Sequence, residues 1–193
     1  MTKLKDIRNW LFKNIVIDNK IDDIEHTGIQ VRPPTDSKSI ERLVKLENFS
    51  PNVRSNAVKA LPVYIAFFCF ENSVRELVKD RLTENYGSDW WSHCATRGIK
   101  DRVESRKEKE GKNRWHSQRG QHEIYYTDFG DLKSLIYNFY SDFEDLFPDR
   151  NWIVTRLEEM ENSRNIIAHN NNLERREQDR IKLYLEDWIK QVG

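Results

Sequence analysis

The chain has 193 residues, 37% hydrophobic and 11% aromatic, enough for one globular domain plus an appendage. Lys+Arg and Asp+Glu balance at 32 each, which argues against a dedicated polyanion binder while leaving room for a local basic patch. Cys69 and Cys94 stand in no metal or redox spacing, and His93, Cys94, His116 and His122 form no zinc pattern. No metal or cofactor is therefore expected, and a reducing compartment suits the chain.

The N-terminal stretch MTKLKDIRNWLFKN lacks the apolar run and cleavage site of a signal peptide. Leu4, Ile7, Leu11 and Ile15 predict a short helix over residues 3–15, and β-branched residues around a polar middle predict a small hairpin over residues 15–32. Pro33-Pro34 breaks the chain, and Ser39 to Asn48 reads as a short helix. A boundary near residue 50 separates this small α(+β) extension, residues 1–50, from residues 51–193.

Ser50-Pro51 resembles an N-cap followed by proline at the first helical position. The helix it opens runs to about Asn85 on a stripe of Val63, Phe67, Phe70, Val74, Leu77 and Val78, with Pro62 as a kink or true start and Tyr86-Gly87 as a stop. Its longest apolar run, Leu61 to Phe70, is about ten residues, too short to cross a bilayer. A soluble cytosolic protein with no membrane partner is expected.

Trp90-Trp91 reads as a plug under a turn. Arg97 to Arg119 then carries nine Lys/Arg against four Asp/Glu. Within it, Arg114, Trp115, His116 and Arg119 are candidates for RNA contact, a base stacking on Trp115 while the arginines meet phosphate. The plainer alternative is a solvated charged helix anchored by one tryptophan. An amphipathic helix follows over Asp131–Phe147, ended by Pro148, and Asp149 caps the next. The last helix, from about Leu173 to Val192, places Ile181, Tyr184, Leu185, Trp188, Ile189 and Val192 on one face. These elements predict an all-α, antiparallel helical bundle.

The chemistry concentrates at Leu157–Asn172. Ile153, Leu157, Met160 and Ile167 make an apolar helical stripe with Arg164 in its middle, and Glu158, Glu161, Asn165 and His169 make a polar stripe beside it. Arg164 and His169, five apart, diverge by roughly 140° on an undisturbed helix, so a site using both in one chain needs the helix to end or a second subunit to contribute. Structurally, Arg164 can pair with Glu161 or Glu71, His169 can simply end a helix, and Glu71 with Arg75 reads more readily as an internal ion pair than as a catalytic carboxylate.

FENSVRELVKDRLTENYGSDWW (70–91), the basic segment ending in RWH (114–116), YTDFGDLKSLI (126–136), FPDRNW (147–152) and RNIIAHN (164–170) occur in order. With Arg164-Asn165 and His169, which fit an Arg-x4-6-His signature, they resemble the Swt-type branch of the HEPN superfamily over roughly residues 55–192. The resemblance implies an all-α bundle, commonly a homodimer with facing motif helices. In many members it implies a metal-independent endoribonuclease, of the kind found in toxin–antitoxin, anti-phage and RNA-processing systems with an antitoxin or defence partner. Other members are inactive modules that bind RNA, nucleotide or protein. HEPN toxins silenced by nucleotidylation carry a tyrosine two residues after the histidine. Here that residue is Asn171, so this control is not expected. In the implied reaction His169 moves protons at the 2′-hydroxyl, Arg164 holds the phosphate, and Asn165 either orients His169 or donates to a phosphate oxygen, leaving a 2′,3′-cyclic phosphate and a 5′-hydroxyl.

Overall fold

The computed structural model describes residues 40, 43–113 and 115–192. The helix expected over residues 3–15, the hairpin expected over residues 15–32 and the side chain of Arg114 lie outside the described residues. The chain divides into two compact units, Met1–Arg54 and Ser55–Gly193. In the first, Ile40 and Leu43 are helical, and a separate 3-10 turn spans Leu46–Asn48. The element expected over Ser39–Asn48 is thus not continuous, because Lys45 is extended (φ −79°, ψ 91°).

The described residues hold six α-helices and no strand: α1 Pro51–Tyr86, α2 Trp90–Cys94, α3 Arg97–Gly111, α4 Phe129–Asn138, α5 Arg150–Ala168 and α6 Arg175–Val192. Proline starts α1, where its missing N–H costs nothing, and the helix continues through Pro62, which is therefore not its start. Its buried stripe is Val63, Phe67, Phe70, Val74, Val78 and Leu82, with Glu71 also buried. Gly87, at φ +78°, ends it by donating its N–H to the Thr83 carbonyl (2.8 Å). Over one 18-residue stretch of mean hydropathy 1.3, α1 is long and apolar enough to cross a membrane, so its apolar character extends beyond Leu61–Phe70.

Trp90 and Trp91 open a short helix of their own rather than sitting in a turn. Trp90 is buried, and Ser92 Oγ donates to Asp89 Oδ1 (2.7 Å) at its start. Thr96 caps α3, accepting from the Ile99 N–H (3.4 Å), and α3 buries only Ile99 and Val103. Its charged flank reaches the N-terminus of α4, where Asp128 and Asp131 form a reciprocal capping box.

The helix expected over Asp131–Phe147 stops at Asn138. Phe139 leaves helical dihedrals (φ −114°, ψ 33°), and Tyr140–Asp142 tightens into a 3-10 turn. In a straight helix Phe147 would lie about 10 Å along the axis from Tyr140. The tight turn brings the Phe147 carbonyl back to the Tyr140 hydroxyl, which donates to it, and buries Phe143 and Phe147.

Asp149 caps α5 through the Asn151 N–H (2.8 Å), and α4 and α6 both pack against α5. Along α6, Ile181 and Trp188 are buried, whereas Ile189, expected on the same face, is exposed. It lies about 80° around the helix from Ile181, beyond the covered stripe. Trp188 stacks on Phe147 at 5.5 Å and meets Phe70 edge-on at 5.2 Å, and its indole N–H donates to Ser73 Oγ (2.8 Å).

His122 ties the loop after α3 to the core. Its ring lies against Trp90 (5.3 Å, 17°), and Nδ1 accepts the Ile124 N–H at 3.1 Å. Burial holds its pKa below the ordinary 6.5, with Lys79 and Lys107 adding to the shift and Glu123 opposing it. The fold therefore prefers the neutral ring, while the unfolded chain takes up a proton more readily. Stability from this residue is full above about pH 6.5 and is lost as pH falls from there through the lower folded-state pKa. Urea midpoints are expected to drop between about pH 7 and pH 5.5. That drop should shrink in His122→Asn, which keeps an acceptor but cannot titrate; an unchanged pH profile would refute the assignment.

Candidate functional site

Two neighbouring helical stripes build a cleft. On α1, Tyr64, Phe68, Glu71 and Arg75 follow at helical spacing beside the core stripe; on α5, Arg164 and Ala168 flank the buried Ile167 at the end of its stripe. Together with Arg106, Arg119, Tyr125, Thr127 and Asp128 they line a cleft of about 550 Å³. Four guanidiniums against two carboxylates give this lining an excess of positive charge within a chain of balanced total charge.

Two of the four arginines are structural. Arg75 pairs with Glu71 and donates to the Thr127 carbonyl (2.9 Å). Arg106 reaches Asp128 (2.5 Å), Asp131 (3.0 Å) and the Tyr126 carbonyl (2.5 Å). Burial by itself would lower the Arg106 pKa, but these two carboxylates raise it. Burial likewise pushes Asp128 up, and the Asp131 N–H and Arg106 overrule it, leaving its carboxyl below the usual range. The other two arginines are half-exposed: Arg164 at 38% and Arg119 at 52% of the side chain.

Arg164 takes Glu71 as its carboxylate, Nε to Oε2 at 3.5 Å, and Nη1 donates to Asn165 Oδ1 at 3.3 Å. Glu161, the other partner considered from sequence, sits beside Gly130 and Asp128. Burial, then the Asp128 charge, raise its pKa, while Lys133, the Gly130 N–H and Arg164 pull the other way. Glu71 thus bridges Arg75 and Arg164, an ion-paired role for all three that still leaves Arg164 facing the cleft.

α5 ends at Ala168, so His169 is the residue that caps it, with non-helical dihedrals (φ −93°, ψ 21°). Asn170 adopts the left-handed conformation (φ 61°) that asparagine tolerates better than most residues. Its N–H donates to the Ile167 carbonyl (2.9 Å), and the Asn171 N–H donates to the Ile166 carbonyl (3.1 Å), the paired bonds of a Schellman stop. The His169 N–H still donates to the Asn165 carbonyl (3.1 Å), so His169 keeps the helical register and its divergence of roughly 140° from Arg164. His169 is exposed and does not itself line the cleft; it follows Ala168, which does. Asn165 is exposed as well.

Of the basic segment, only Arg119 lines the cleft among the described candidates. It pairs with Glu110 (2.6 Å) and lies over the Tyr126 ring at 5.9 Å. Trp115 is 81% exposed and stacks on His116 at 3.6 Å, away from the cleft lining. Tyr64, Phe68, Arg106, Tyr125 and Asp128 were not singled out from sequence. For Tyr64 and Phe68 the signal was present: two aromatics at i, i+4, one step off the core stripe. For Tyr125 it was not, since its place depends on Gly120, where a Cβ would come within 2.6 Å of the ring.

Residues 65–193 match the family described as Swt1-like HEPN. The chain belongs to the Swt1-like HEPN family. Neither a curated protein nor a solved structure matches it. The helical architecture of the described residues agrees with a HEPN bundle, and membership supports a ribonuclease-type function.

Proposed function

We propose that this protein is a metal-independent endoribonuclease acting through Arg164, Asn165 and His169. The observation that carries the reading is Arg164 facing a cleft rich in guanidinium, with an exposed His169 held at the adjoining helix end. RNA supplies its own nucleophile, the 2′-hydroxyl. His169 accepts that proton as the oxygen attacks phosphorus, and Arg164 stabilises the charge gathering on the non-bridging oxygens. Glu71 anchors Arg164 by Nε and Asn165 Oδ1 takes Nη1, leaving the Nη2 side of the fork for phosphate. The 5′-oxygen leaves with a proton, giving a 2′,3′-cyclic phosphate and a 5′-hydroxyl. In a homodimer the second His169 supplies that proton, so that one imidazole is base and the other acid. The work of such an enzyme as a toxin or defence component in the cytoplasm, with an inhibitory partner, is part of the same proposal.

The test is incubation of the protein with structured RNA in EDTA. Cleavage to 2′,3′-cyclic ends is expected, while DNA of the same sequence, lacking the 2′-hydroxyl, stays intact. RNA left whole, or DNA cut equally, refutes the reading.

One observation favours a second reading, an inactive HEPN module that binds RNA, nucleotide or protein. The Glu71 carboxylate already neutralises part of the Arg164 charge, and His169 stands outside the cleft lining. On that reading Arg164→Ala and His169→Ala leave function in the cell intact.

A further inference from the structure

We propose that Tyr64 and Phe68 form a stacking platform that selects an unpaired RNA base next to the phosphate held by Arg164 and Arg119. This rests on the reading of the cleft as an RNA site and adds the substrate class: single-stranded rather than duplex RNA. The core of α1 does not need these rings, since Val63, Phe67 and Phe70 fill it. Tyr64 and Phe68 remain 58% and 59% exposed, and both line the cleft that Arg119 and Arg164 border. Their centroids lie 6.4 Å apart with the planes tilted by 35°, so the two rings do not cover each other's faces.

A flat π-face covers such rings well, and every nucleobase has one. In a duplex both faces of each base are occupied by its neighbours in the stack, so only an unpaired base can be offered without unstacking. The cleft volume, about 550 Å³, falls among the roughly 300–1,000 Å³ of small-ligand clefts, room for a nucleotide rather than a helix. The half-exposed guanidiniums of Arg119 and Arg164 supply charge complementary to the flanking phosphates, which an apolar protein partner would not call for. Phe68 and Tyr64 are specificity-determining positions here; the reacting groups remain those of α5 and its end.

The experiment uses the full chain carrying His169→Ala, so that binding is read without cleavage. The probes are a short fluorescein-labelled single-stranded RNA and the same strand annealed to its complement, followed by anisotropy. The single strand is expected to bind more tightly than the duplex. Tyr64→Ala and Phe68→Ala should each weaken single-strand binding about ten- to a hundredfold, with little change for the duplex. Tyr64→Phe and Phe68→Tyr, which keep a π-face, should restore it. Alanine variants that bind the single strand like the parent overturn the proposal, as does an equal loss for single strand and duplex. A change in sedimentation with RNA binding intact also overturns it, and assigns the face to a second copy of the chain. Because cleavage is not read, an inactive module that binds unpaired RNA passes this test, and a working ribonuclease with an idle platform fails it.

Discussion

His169→Ala is expected to reduce RNA cleavage by about 10²–10⁴-fold, the range for removing a general acid–base group. RNA affinity and thermal stability should stay near those of the parent. The imidazole is exposed at the end of α5, and the helix stop is made by backbone groups of Asn170 and Asn171, so truncating the side chain removes no packing. Arg164→Ala should behave differently. It removes a phosphate donor, worth about 10²–10³-fold in rate, and leaves the buried Glu71 with Arg75 alone, so some stability goes with it. Arg164→Lys keeps the charge but loses the fork, and should recover only part of the rate. Initial rates on one RNA at fixed salt, with melting curves for each variant, separate these effects. A His169→Ala protein that cleaves at the parent rate would remove the imidazole from the mechanism.

The second large effect is on stability. Asp131, 1% exposed, accepts from Arg102 Nε (3.0 Å), Arg102 Nη2 (2.5 Å) and Arg106 Nη1 (3.0 Å). It also takes the Asp128 N–H (3.3 Å) as its half of the capping box. Asp131→Ala strips the partly buried Arg106 of a carboxylate and opens the first turn of α4. Breaking one side of a buried ionic network costs about 3–5 kcal/mol, which for a domain of ordinary stability is a large share of the total. The Arg102 contact, half in solvent, contributes little of this. Urea unfolding at neutral pH should show the loss, and a change under about 1 kcal/mol would mean the network is only a surface pair. Because Arg106 also lines the cleft, the variant should bind RNA less well even where it remains folded.

Periodicity alone made the main helices legible. An apolar stripe at 3.6 residues and a capping residue are local properties, so α1, α5 and α6 were readable from their side chains, as were the Asp149 cap and the Gly87 stop. The break after Asn138 was not. Leu132 to Leu146 keeps a helical pattern, and the chain departs from it to bring the Tyr140 hydroxyl to the Phe147 carbonyl, a contact no one-dimensional pattern encodes. The divergence of Arg164 and His169 was legible as well. As a repeat, their spacing puts them on different faces, and the bond from the His169 N–H to the Asn165 carbonyl keeps them there, while the left-handed Asn170 that stops the chain beyond them is a feature only the structure shows.

Charge followed the same division. The sequence determined that the total is balanced and that Arg97–Arg119 is locally basic. How far each arginine is spent on carboxylates depended on packing: Arg106 is taken up by Asp128 and Asp131 and Arg75 by Glu71 and Thr127, whereas Arg119 and Arg164, though paired with Glu110 and Glu71, stay half-exposed at the cleft. A guanidinium finds its partner by distance in space, and only the packing of α1, α3, α4 and α5 sets that distance.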